Sequence, residues 1–147
     1  MDIRLVLLLH LFTTVFMTGV IWMIQVLHYP LFNLVGRENF SAYEAAHSNL
    51  ISLIVAPAML LELGFTAWIF FAPPASVPSS LNWLNTILLA IIWLSTAFLQ
   101  VPQHSILSSG FNEKAYQFLV NSNWIRTVAW SARAVIASIM VWSVMKS

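Results

Sequence analysis

The sequence predicts an all-α integral membrane four-helix bundle, and three observations carry that expectation. Of 147 residues, 60% are hydrophobic and only 7% charged, against about 25% charged in soluble domains; mean hydropathy is +0.84. The apolar residues collect in four runs of about 20 residues or more, long enough to cross a bilayer. Each run also carries one narrow stripe of polar residues at helical spacing. Lipid-facing helix surfaces have no use for such stripes, so they imply a polar interior between four helices. A single transmembrane domain over residues 1–147 is expected, with spans at 3–27, 45–71, 81–101 and 124–145.

In the first span His10, Thr14, Thr18, Gln25 and His28 fall within roughly 80° of one another on a helical wheel. Residues 5–27 carry no charge. That run exceeds the ~7–15-residue core of a secretion signal, and no small-x-small cleavage site follows, so a permanent helix is expected. Gly36-Arg-Glu-Asn39 reads as a turn into a short helix at 40–47. The second span bears Glu44, His47 and Glu62, and Pro57 is expected to kink or end it. The linker 72–80, rich in proline and serine, breaks the chain before the third span. That span shows Asn82, Thr86, Trp93, Thr96, Gln100 and His104, and Pro102 is expected to kink or end it. Residues 112–121 read as an amphipathic helix on the membrane surface. The fourth span carries Asn123, Arg126, Trp130 and Arg133.

Four spans place both ends of the chain and the 72–80 linker on one side, and the longer connections 29–44 and 102–123 on the other. Arg4 and Lys146 on the first side balance Arg37 and Lys114 on the second. The expected orientation, termini in the cytoplasm of a bacterial-type inner membrane, therefore has no decisive charge bias behind it. The halves also resemble each other. Gln25-Val26 matches Gln100-Val101, His47-Ser-Asn-Leu-Ile51 matches Asn121-Ser-Asn-Trp-Ile125, and Ala42-Tyr43 matches Ala115-Tyr116. Their constant order points to a duplicated two-helix hairpin with a pseudo-twofold along the membrane normal; shared loop composition is the alternative.

Zero cysteines exclude disulfides, thiolate metal ligands, iron–sulfur clusters and cysteine nucleophiles. A net charge of +1 gives no reason to expect nucleic acid. Helix direction brings His28, His47, His104, Asn123 and Arg126 to the loop-side boundary, with Gln25 and Gln100 about one turn deeper. Three imidazoles suit a copper, iron or zinc site with an open position, or a haem; the alternative is hydrogen-bonded histidines with no metal. Glu44, three residues before His47, could ligate or orient an imidazole. Arg126 has the planar fork to hold an anionic group. Deeper in, Glu62 and Arg133 lie about 14 and 18 Å from the terminal side. They are expected to pair if their helices adjoin, or to act as a proton-transfer group and its modulator, with His10 as relay partner. Trp22, Trp93 and Trp130 are candidate walls of a pocket for a flat apolar molecule, the alternative being core packing. Trp68, Trp83 and Trp142 fit interfacial anchoring.

The segments Leu99-Gln-Val-Pro-Gln-His104, Gly110-Phe111, Asn123-Trp-Ile-Arg-Thr127 and Trp130-x-x-Arg133 resemble the second half of small four-helix membrane proteins of the anthrone-oxygenase-like family. There a V-P-x-x-x-x-L segment, here Val101-Pro102 to Leu107, precedes a tryptophan and two arginines spaced as Trp124, Arg126 and Arg133 are. Tyr29-Pro30 and the Pro57 region match the first half more loosely, so the resemblance covers about half the chain. It implies the four-helix fold and, for the members closest to the name, oxygenation of polycyclic aromatic phenols. A fainter similarity, four helices with an early histidine and a Tyr-Pro element, is to membrane haem-pathway oxidases.

The resulting expectation is a membrane oxidoreductase or oxygenase-like enzyme acting on a hydrophobic, aromatic or isoprenoid molecule. Glu62, Arg126 and Arg133 are its catalytic candidates, and His28, His47 and His104 its metal ligands. Trp22, Gln25, Trp93, Gln100, Asn123 and Trp130 are expected to line the cofactor or substrate site. The rival is a non-catalytic membrane subunit or a small-molecule or haem binder, whose buried polar groups hold helices together by roughly 0.6–2 kcal/mol each; a transporter is a third. Expected partners are the bilayer, a hydrophobic small molecule or lipid, and either further copies of the chain or other subunits of a complex.

Overall fold

In the computed structural model, which describes residues 2–146, four helices run antiparallel: α1 (Ile3–Phe32), α2 (Phe40–Phe71), α3 (Ser79–Ser108) and α4 (Glu113–Met145). All four are long and apolar enough to cross a membrane. Each α1 neighbour is an odd-even pairing: α1 packs against α2 and α4, and α3 packs against α4 and, less extensively, α2. Helices α1 and α3 therefore face each other across one diagonal, and α2 and α4 across the other. Large apolar side chains such as Phe12, Leu53, Phe98 and Val128 point outward, while His10, Glu44, Glu62, Asn123 and Arg133 are buried. A bilayer rewards this arrangement because lipid accepts the apolar surface and leaves polar groups to find partners inside.

The helices extend further towards the loop side than the hydropathy runs indicate. The segment 40–47 is the first part of α2, and 113–121 belongs to α4, with Asn112 as its cap, rather than to a separate surface helix. Pro57 lies inside α2 without ending it. In α1 and α3 the continuity has a specific origin. Ile24–His28 and Thr96–Gln100 are π turns, in which the Tyr29 amide bonds back to the Ile24 carbonyl and the Val101 amide to that of Thr96. Each π turn is followed two residues later by a proline, Pro30 or Pro102. A proline ring clashes with the carbonyl four residues before it, and widening the preceding turn relieves that clash without stopping the helix. The extra residue also rotates everything beyond it by about 100°.

Capping is local. The Asp2 side chain accepts from the Arg4 amide at 3.0 Å, and the Asn112 side chain accepts from the Ala115 amide at 3.0 Å, satisfying amides that have no helical partner. After α3 the chain turns at Gly110, whose φ of 137° is open to glycine and costly to other residues. The loop-side connections pack on one another. The Arg37 guanidinium lies 3.4 Å from the Phe111 ring centre, and Phe40 meets the same ring edge-on. Ser41 donates to the Ser108 carbonyl.

Inside, apolar and polar layers alternate. Val6, Leu7, Ile69, Ile136 and Met140 fill the terminal-side end, Met17, Ile21, Met59, Ile92 and Trp130 the middle, and Ile24, Phe32, Phe40, Leu107 and Leu119 the loop side. The absence of native cysteines makes the topology simple to test. Single cysteines at Ser80, exposed in the first turn of α3, and Ser109, exposed in the turn after it, lie at opposite ends of the bundle and are expected to react with a membrane-impermeant maleimide from opposite faces of sealed vesicles. Labelling of both from one face would contradict the four-span arrangement.

Candidate functional site

A cavity of about 380 Å³ opens between α2 and α3, which pack on each other less closely than α4 packs on α1 and α3. Its apolar walls include Ile51, Val55, Met59 and Trp93, and it reaches the outer surface beside Leu60 and Val101, which are 59% and 57% exposed. The opening therefore faces the bilayer. The inner end is polar, lined by Tyr29 from α1, His47 and Ser48 from α2, Thr96 and His104 from α3, and Arg126 from α4.

All of these except His47 join Glu44 in one hydrogen-bonded chain. Glu44, fully buried, accepts from His104 Nδ1 at 2.5 Å and from Ser48 Oγ at 3.0 Å. A carboxylate can only accept here, so the Nδ1 proton is fixed and Nε2 becomes the acceptor of the same ring. Nε2 stands 3.2 Å from the Tyr29 hydroxyl, which donates to it and in turn accepts from Arg126 Nη2 at 3.5 Å. Behind Arg126, the Asn123 carbonyl oxygen accepts from Nε at 2.9 Å and from Nη2 at 2.5 Å. Asn123 is itself held by Gln25, whose side-chain oxygen accepts its amide at 2.8 Å. Gln25 and Asn123 thus aim the guanidinium and do not line the cavity.

His28 and His47 sit beside this chain. His28 Nε2 is 2.8 Å from His47 Nδ1, and the His47 and His104 rings are 5.6 Å apart between centres. The three histidines predicted as metal ligands are gathered at one end of the bundle, but their nitrogens are turned to one another, to Glu44 and to Tyr29. Among the described residues no group of three or more histidines and carboxylates has the arrangement that would hold a metal ion. Their proximity serves hydrogen bonding in this geometry.

The other predicted residues divide. Trp93 lines the cavity, and its indole N–H finds no acceptor among the described residues. Gln100 lines it too, bonded to Ser95 and Ser122 at 3.0 Å each. Trp22 does not belong to the wall. It is 42% exposed, donates to Ser131 at 3.0 Å and meets Trp124 edge-on, so it lies on the outer surface between α1 and α4. Trp130 is fully buried and donates to Glu62 at 2.9 Å. Glu62 and Arg133, both fully buried, pair at 2.6 Å, and Arg133 also donates to Thr66 and Asn85 at 3.1 Å each. They reach each other across the α2–α4 diagonal, so adjoining helices were not required: a glutamate and an arginine side chain together span the interior. His10 and Thr14 face this group without hydrogen bonds of good geometry. None of Glu62, Arg133, Trp130 or His10 lines the cavity, which makes this layer separate from the cleft.

Tyr29 was visible in the sequence only as part of a Tyr-Pro element. On a regular helix His28 continues the α1 stripe. The π turn rotates that register, so Tyr29 becomes buried and His28 stays half-exposed. The usable signal was the proline one residue later. No protein-family model, curated protein or solved structure matches the chain.

The ion pair yields a stability prediction. Glu62→Leu or Arg133→Leu alone leaves a buried charge without its partner and is expected to lower the unfolding free energy by about 3–5 kcal/mol. The double substitution is expected to lose much less than the two together. Titration of the purified protein with sodium dodecyl sulfate, followed by circular dichroism, gives both values; additive losses would mean the pair is not coupled.

Proposed function

We propose that this chain is a membrane enzyme that takes a hydrophobic, aromatic or isoprenoid molecule from the bilayer into the α2–α3 cleft and removes a proton from it. The observation that carries this reading is the Glu44–His104–Tyr29–Arg126 chain at the inner end of a cavity open to lipid. A carboxylate that fixes the tautomer of an imidazole leaves the other nitrogen as a positioned base. In the proposed step a substrate C–H or O–H bond breaks and an N–H bond forms at His104 Nε2, directly or through the Tyr29 hydroxyl. The electron pair stays on the substrate, where Arg126 stabilises the oxyanion that develops, and Glu44 stabilises the imidazolium. Oriented donors at a developing oxyanion are commonly the largest single catalytic effect. His47 and the half-exposed His28 offer the proton a path to the loop-side boundary.

The oxygenase-like part of the reading rests on the resemblance to the anthrone-oxygenase-like family. Proton removal is the step such chemistry needs first, since an enolate or phenolate is electron-rich enough for dioxygen to oxidise. With anthrone as substrate and dioxygen as oxidant, the ring methylene becomes a carbonyl and the second oxygen atom leaves as water. Glu62 and Arg133, removed from the cleft, act on the bundle rather than on the substrate in this proposal. That separate layer favours the second reading, a non-catalytic membrane subunit whose polar interior fixes helix register. Duplication of a hairpin is part of the proposal too, supported by a π turn with a proline two residues later in both α1 and α3. So is an inner-membrane location with both termini cytoplasmic, and because Arg4 and Lys146 on one side balance Arg37 and Lys114 on the other, the vesicle labelling at Ser80 and Ser109 is what orients it.

The test uses anthrone as probe with the protein in phosphatidylcholine nanodiscs. Under nitrogen in D₂O, the protein is expected to accelerate deuterium exchange at the anthrone methylene over empty nanodiscs. His104→Gln is expected to lose about 100-fold or more of that acceleration while keeping its helical circular dichroism. In air, dioxygen uptake is expected to follow the same order. Exchange no faster than in empty nanodiscs would overturn the reading.

A further inference from the structure

The bundle buries two arginines, and they are treated differently. Arg133 is fully enclosed and carries its own counter-ion, Glu62 at 2.6 Å. Arg126, 7% exposed, touches no carboxylate among the described residues. Its acceptors are Asn123 Oδ1, Thr96 Oγ1 and the Tyr29 hydroxyl. The nearby acid, Glu44, is engaged by His104 and Ser48, with His104 and Tyr29 standing between it and Arg126. A cation in a bilayer interior is expensive unless paired, and the two arginines share that environment.

The geometry of Arg126 adds direction. Its contacts to Asn123, on the side away from the cavity, are short at 2.9 and 2.5 Å. Those to the cavity-lining Thr96 and Tyr29 are long, at 3.3 and 3.5 Å. A guanidinium has five N–H donors, and the ones left weakly engaged face the cavity. Beyond them, Ile51, Val55, Met59 and Trp93 lead to an opening between α2 and α3 at bilayer depth. A donor pair at the closed end and an apolar channel to lipid describe a site for an amphiphile entered head first.

We infer that the cleft's ligand carries an oxyanion head, a carboxylate or phosphate ester on an apolar chain, which binds Arg126 while the chain lies along Trp93 and leaves between α2 and α3. This rests on the reading of the cleft as a ligand site and names the chemical class that enters it; it does not depend on the proton-transfer step. The positively charged fork supplies two parallel donors that match two oxygens of such a head. The other ionisable groups facing the site are Tyr29 on α1, His47 on α2 and His104 on α3, with Glu44 behind them and His28 on α1 outside the cavity.

Bromine quenches tryptophan fluorescence on contact, which provides the measurement. The full chain in phosphatidylcholine nanodiscs at pH 9 is titrated with 9,10-dibromostearate, the corresponding neutral dibromostearyl alcohol, and dibrominated phosphatidic acid. Saturable quenching by either acid, at least about thirtyfold tighter than by the alcohol and absent in Trp93→Phe, is expected. Saturation by the carboxylate alone identifies a free fatty acid as the source, and saturation by phosphatidic acid a lipid phosphate. Arg126→Gln is expected to bring the acids to the affinity of the alcohol, with Arg126→Lys intermediate. Equal affinity for acid and alcohol in the unmodified protein, a reading that needs no variant to fold, would overturn the inference. So would unchanged acid binding in a folded Arg126→Gln protein. Anthrone exchange that persists beside either result leaves the proton-transfer reading standing, so the two proposals fail separately.

Discussion

The Glu62–Arg133 pair is the contact on which the arrangement of the four helices depends. It joins α2 to α4 across the bundle diagonal at 2.6 Å, and Arg133 extends it to Asn85 on α3 and Thr66 on α2. Trp130 closes the second carboxylate oxygen at 2.9 Å. In lipid, apolar helix faces slide past one another with little penalty, because lipid tails are as apolar as leucine. A buried charge pair does not slide, since any shift in register leaves a charge unpaired in a medium without water. The layer therefore acts as a pin, and the apolar layers above and below it pack in the register it sets.

With the helices pinned in the terminal-side half, the loop-side half can hold a cleft. The seam between α2 and α3 is looser than those α4 makes, and it is there that the cavity opens. On the opposite side α4 packs closely on both α1 and α3, and Gln25, Asn123 and Thr127 bond across the α1–α4 boundary. The polar end of the cleft is consequently built against the tight side and its entrance lies on the loose one. That division places a fixed donor and acceptor set where a ligand head would meet it and leaves the lipid-facing walls to adjust.

Much of this was legible in the chain. Four apolar runs with polar stripes gave the helices and their inward faces, and counting residues gave the matched depth of Glu62 and Arg133. The same counting placed the histidines together. What periodicity does not contain is the break in periodicity. A wheel drawn at 100° per residue treats Ile24–His28 as regular helix, whereas the π turn there shifts Tyr29 inward and leaves His28 at the edge. Depth alone also does not distinguish a wall from an outer surface when the side chain is tryptophan: Trp93 is on the polar stripe of its span and lines the cleft, whereas Trp22, at the same level but off the stripe, bonds Ser131 at the lipid face. The partner of each histidine nitrogen depends on side-chain direction, which spacing leaves open.

The prolines link these points. Pro30 and Pro102 each lie two residues past a π turn, and the residues between and just beyond, Tyr29, Val101 and His104, reach the cleft. A regular helix without proline would keep one register throughout α1 and α3, so a side chain inward at the pinned layer and one inward at the cleft would have to share a single stripe. The wider turn separates the two registers. On α1 and α3 it lets His10, Thr14 and Asn85, which surround the ion pair, and Tyr29 and His104, which reach the cleft, lie on different stripes, while Glu62, Glu44 and Arg133 come from the regular helices α2 and α4. A bundle of this size thus contains two polar layers, and the helix irregularity in α1 and α3 is the physical reason that those two helices present a different stripe to each.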